Sequence, residues 1–125
     1  MTAPEESLDL ARVAGQAAAD KLAEEVIGLD VSELVVITDV FLVCSGDSER
    51  QVSAIVDGVE EALLTQRRRK PLRREGERDA RWVLLDYGDI VVHVQHAEDR
   101  AFYALERLWC DAPVLDLRID EGRAE

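Results

Sequence analysis

The most constraining stretch of this chain is Val40-Phe41-Leu42-Val43-Cys44-Ser45, a short run with no polar residue at alternate positions. A strand open to water on one face alternates, whereas one covered on both faces does not, so this run predicts a central strand. Gly46-Asp47 then turns the chain. Ser48-Glu49-Arg50-Gln51 fits a capping box, in which Ser48 accepts from the third amide on and Gln51 reaches back to the Ser48 amide. Behind it Val52, Ile55, Val56, Val59 and Leu63 recur at helical spacing. A strand, a turn and a helix in this order imply a right-handed crossover to a further strand.

The rest of the chain is read around that unit. From Leu8 to Ile27 the apolar positions Leu8, Ala11, Ala14, Ala18, Leu22 and Val26 recur every three or four residues, predicting a helix that Gly28 stops. Leu34 to Ile37 is short and aliphatic, which predicts a strand. Residues 67 to 81 mix eight basic residues with Glu75, Glu77 and Asp79, and read as a loop with a short edge strand around Leu72. Trp82 to Asp86 and Ile90 to Gln95 form an antiparallel hairpin through Tyr87-Gly88-Asp89. A last helix runs from about Glu98 to Trp109, burying Phe102, Leu105, Leu108 and Trp109. The expectation is one α/β domain over residues 8–112, of order α-β-β-α-β-β-β-α, with a mixed five-stranded sheet flanked by helices. Residues 1–7 and 113–125 are expected to be a flexible N-terminus and a flexible acidic tail.

The formal charge of −12 disfavours generic binding to phosphate backbones and favours a basic protein partner. Cys44 and Cys110 lack metal or redox spacing and read as reduced thiols. No run approaches the ~20 apolar residues that span a bilayer, and Met1 to Glu6 is acidic, so a soluble, cytoplasmic protein is expected.

Thr38-Asp39 before Phe41-Leu42-Val43-Cys44-Ser45-Gly46, with Ser48, Arg50 and Gln51, resembles the first signature block of the ribosomal silencing factor (iojap) family. Glu75-Gly76, Trp82 through Asp86, Gly88-Asp89-Ile90-Val91-Val92-His93-Val94, Arg100, Tyr103, Leu105-Glu106 and Leu108-Trp109 resemble the second. The resemblance spans about residues 8 to 112. It implies a nucleotidyltransferase-like core and binding to the large (50S) ribosomal subunit through its ribosomal protein fourteen. It also implies blocked joining of the small (30S) subunit, damped translation under nutrient limitation, and a homodimer. A role in large-subunit assembly is the alternative. Gln95, where relatives carry a large apolar residue, the Arg67-to-Lys70 run and the tail after Asp116 depart from the pattern.

The candidate partner-binding residues are Glu75, Gly76, Trp82, Asp86, Asp89, His93, Arg100 and Tyr103. Trp82 beside charged loops is the kind of residue that anchors a protein interface, and that role is favoured over a place in the core. Glu75, Glu77, Asp86 and Asp89 would steer a basic partner, the alternative being a solvated loop. Arg100 and Tyr103 face partly away from the last helix's apolar stripe. Arg67 to Lys70 is a candidate for minor contact with ribosomal RNA, or simply a solvated helix end. A nucleotidyltransferase-like enzyme is the remaining alternative; such catalysis needs carboxylates that hold magnesium, yet only Asp47 lies near the Ser45-Gly46-Asp47-Ser48 turn and no Asp-x-Asp follows. No catalytic residue, cofactor or metal is expected. The His93-x-x-His96 pair converges only if its strand ends between them.

Overall fold

The computed structural model describes residues 3–35, 37–76, 81–103 and 112–119, the side chains of 101–103 excepted. Along them run α1 (Glu5–Asp20), β1 (Glu24–Asp30), β2 (Val40–Gly46), α2 (Glu49–Arg67), β3 (Arg73–Glu75), β4 (Trp82–Asp86), β5 (Ile90–His96), α3 (Ala97–Tyr103) and β6 (Val114–Leu115). The sheet order is β3-β4-β5-β2-β1-β6, six strands rather than the five expected. β2 and β5 pair in parallel at its centre, which is what the α2 crossover requires, and the flanking pairs are antiparallel.

Side-chain alternation divides the sheet into two faces. On one, Val40, Leu42 and Cys44 of β2, Val83 and Leu85 of β4, and Ile90, Val92 and Val94 of β5 meet α1 and α2 in the main core. Small Ala11, Ala14, Ala17 and Ala18 let α1 lie close to both the sheet and α2. The buried Cys44 thiol is pushed up to about 12 by desolvation, so it is inert.

Several expectations are corrected. The helix expected over residues 8–27 ends at Asp20, the chain turns through Leu22 at φ 66°, and Glu24–Asp30 is a strand. The helical stripe continues by coincidence through Leu22 and Val26; pairing with β2 and β6 decides for strand. Gly28 is therefore inside β1, not a helix stop. The strand expected at Leu34 to Ile37 is a turn over residues 32–34. There Asp30 Oδ1 accepts from the Ser32 amide and hydroxyl, and the Leu34 and Val35 amides donate to Val31 O. That local network competes with a ladder, and Ile37 is left 80% exposed. Residue 36 lies outside the described residues.

At the N-terminus, expected to be flexible through residue 7, Ala3 N–H donates to Asp30 Oδ2 and buried Ser7 donates to Asp39. Ser48 caps α2 as expected, accepting from Gln51 N–H at 3.1 Å. Gln51 does not return to the Ser48 amide. Its Oε1 accepts from Asp47 N–H, while its Nε2 donates to Lys21 O and Leu22 O, groups left open after α1. The added strand β6 comes from the segment placed in the acidic tail. Leu105, Leu108, Trp109 and Cys110, and the side chain of Phe102, lie outside the described residues.

Gln95 occupies β5 with a fully buried side chain whose Oε1 and Nε2 have no hydrogen-bond partner among the described residues. An amide buried without partners costs about 1–3 kcal/mol. Gln95→Leu is therefore expected to stabilise the fold by about 1–2 kcal/mol, read as a higher urea midpoint at unchanged slope. A lowered midpoint would mean that the amide makes a bond in solution.

Candidate partner-binding surface

The sheet face turned away from α1 and α2 carries Arg73 and Glu75 of β3, Trp82, Leu84 and Asp86 of β4, His93 of β5 and Phe41 of β2. The register puts them together: Leu84 lies opposite His93, Glu75 opposite Leu84, and Arg73 opposite Asp86. Phe41 meets His93 edge to face, with centroids 5.1 Å apart, and Trp82 stands 6.2 Å from the same ring. Trp82 Nε1–H donates to His93 Nδ1 at 3.3 Å. That bond fixes the neutral imidazole with its proton on Nε2.

Around this half-buried aromatic cluster lies a charged rim. Arg73 reaches Glu75 at 3.6 Å and Asp86 at 3.5 Å, and Glu75 and Arg73 are exposed. Exposed pairs of this kind contribute little to stability and can be exchanged for a partner's charges.

Burial lowers the His93 pKa to about 4. The sign follows from linkage: below the unfolded value near 6.5 the unfolded chain takes up a proton that folded His93 refuses. The stability His93 supplies is fully present above about pH 6.5 and is lost progressively down to about pH 4, up to roughly 3 kcal/mol. Urea midpoints across that range should fall for the native chain and fall less for His93→Leu. Equal slopes would show that His93 titrates normally.

The other expected residues divide. Gly76, at φ 82°, lets β3 turn against β4: a Cβ there would stand 2.0 Å from Trp82 O. It thereby fixes how closely β3 approaches the Trp82 backbone. Asp86 Oδ1 accepts from Gly88 N–H in the hairpin turn, and Asp89 pairs with Arg69 at 3.4 Å. Arg100 corrects the expectation of a surface residue. It is 3% exposed, and its guanidinium donates to Glu25 O at 2.6 Å and Glu24 O at 3.4 Å, holding the β1 bulge. The side chain of Tyr103, like Glu77, lies outside the described residues. In the basic run, Arg67 pairs with Asp9, and Arg69 also donates to Tyr87 O.

The sequence reading missed Phe41 and Leu84 as members of this face. Leu84 lies midway between Trp82 and Asp86, at the spacing of one strand face, which signals its place; the unbroken apolar run of β2 carries no such signal for Phe41. Among the described residues no cluster of His, Cys, Asp or Glu could hold a metal ion. His93 and His96 sit on opposite faces of β5, and His96 Nδ1 accepts from Glu98 N–H. At the Gly46 turn, Asp47 gives its amide to Gln51. No helix among these residues is long and apolar enough to cross a membrane.

Fold and surface together define an α/β domain that presents a half-buried aromatic patch with a charged rim, the form of a protein-docking module. A family model described as "Ribosomal silencing factor during starvation" matches residues 4–125. A ribosomal silencing factor of Halalkalibacterium halodurans is 44% identical over 110 residues, spanning 87% of this chain and 92% of that protein. One from Bacillus subtilis is 42% identical over 106 residues, spanning 85% and 89%. A crystal structure from Bacillus halodurans superposes with TM-score 0.74 at 42% identity, covering 90% of this chain and 99% of that one. The chain belongs to the ribosomal silencing factor family.

Proposed function

We propose that this protein binds the large ribosomal subunit through its ribosomal protein fourteen and sterically blocks association with the small subunit, repressing translation under nutrient limitation. The observation that carries this reading is the Trp82–His93–Phe41 cluster, an aromatic anchor on an otherwise acidic chain of net charge −12. A basic ribosomal protein is the complementary partner: aromatic insertion supplies affinity, while Glu75 and Asp86 steer encounter and fix register. Occlusion needs no bond to be made or broken, so the protein acts without a catalytic residue. In the same reading it works in the cytoplasm and is a homodimer when free.

Sedimentation with separated subunits, followed by a subunit-joining assay, tests this. Cosedimentation with the large subunit alone and reduced joining are expected. Preference for precursor particles without a joining defect would replace silencing with assembly. Binding to neither subunit would sink the proposal.

A further inference from the structure

Residues 113–119 cross the open edge of β1. Gly28 pairs with Leu115 and Leu29 with Val114, and Asp30 N–H donates to Pro113 O at 2.9 Å. Beyond this two-residue strand, Leu117 enters a slot between α1 and β1. A Cβ on Gly28 would lie 2.9 Å from Leu117 Cδ2, and one on Gly15 would lie 3.2 Å from its Cδ1, so a side chain at either position would crowd the slot. Arg12 Nε donates to Asp116 O across the top. Leu117 is 7% exposed, whereas Val114 is 72% exposed and Pro113, Asp116 and Arg118 also face solvent. One buried side chain therefore anchors a segment whose backbone adds a strand to a sheet that is already complete in its core.

We propose that the β1 edge and the Gly15–Gly28 slot form a strand-addition site for an extended peptide of the pattern Leu-Asp-Leu, and that residues 113–119 are its resident, displaceable occupant. The outside ligand that fits is the same segment of a second copy of this chain. Main-chain bonds to β1 supply the affinity, and the leucine in the slot supplies the selection. Arg12, poised over the Asp116 carbonyl, sets the direction in which the peptide lies. The short ladder makes opening a local event, separate from unfolding of the β2–β5 centre.

Native-state hydrogen exchange on the full chain tests displaceability. The Asp30 amide, bonded to Pro113 O, should exchange at least ~tenfold faster than the β5 amides of Val92 and Val94, because it opens without them. Exchange of all three at one rate would overturn the proposal. For the site itself, a labelled synthetic peptide of residues 113–119 is titrated into the full-length Leu117→Asp variant, whose own segment no longer holds the slot. Saturable binding is expected, at least ~tenfold tighter than to the native chain, in which the site is mostly filled. A peptide carrying aspartate at the Leu117 position should not bind. Equal binding of both peptides would also overturn the proposal. Should the variant lose β5 protection and so prove unfolded, the same titration is run on the native chain, where peptide must accelerate exchange at the displaced Leu115 amide; no acceleration counts against it.

Discussion

Trp82→Ala is expected to weaken binding to the large subunit by at least ~2 kcal/mol, about thirtyfold in Kd. Trp82 is the largest side chain of the aromatic cluster and is half-buried, and its Nε1–H donates to His93 Nδ1. Truncation removes the anchor and leaves His93 Nδ1 without its donor. Trp82→Phe helps to separate the two losses, since it keeps an aromatic ring while removing the hydrogen bond and the indole's second ring. Affinity is to be measured at fixed salt by titration against purified large subunits, with urea melts confirming that both variants fold. Native affinity in a folded Trp82→Ala variant would return Trp82 to a scaffold role and move the docking surface elsewhere.

Gly76→Val should cost about 3 kcal/mol or more of stability, because it combines a left-handed backbone with a backbone collision. The obstructing atom is Trp82 O, 2.0 Å from where Cβ would stand, and backbone cannot swing aside as a side-chain tip can. Relief must push β3 from β4 and shift Trp82, so binding should fall together with the urea midpoint. A loss under about 1 kcal/mol would mean that the turn relaxes freely and that Gly76 does not position the indole.

Much of the centre of this fold was legible in advance. Val40 to Ser45 could only be an interior strand, the Ser48 cap began the helix where it was expected, and Gly88 marked the hairpin. The failures lie where tertiary pairing overrides a local pattern. Val26 and Ile27 extend the stripe of α1, and nothing in those residues announces that β2 and β6 will claim their backbone. Leu34 and Ile37 are apolar, but Asp30 folds the chain into a turn through Ser32. Leu117 reads as part of a charged tail unless Gly15 and Gly28 are known to leave a slot for it. For the candidate surface, Trp82, Glu75 and Asp86 were recognisable as a group. Their convergence with Phe41 depended on a parallel register between strands distant in the chain. Arg100 carried no sign that it would turn inward to the β1 bulge.

The parallel pairing at the centre of the sheet also governs how this protein is made. Val40 lies beside Ile90 and Gly46 beside His96, fifty residues apart in each case. While a ribosome is still synthesising the chain, β2 can pair with β1 and α2 can form, but the other edge of β2 stays open until β5 emerges. The nascent chain thus carries an apolar strand with an unpaired edge through about two-fifths of its synthesis, the interval in which such edges invite misassociation. Slow loop closure of this kind limits folding of sheets built on distant strands. A pause introduced after α2 should therefore lower soluble yield more than one placed after β5.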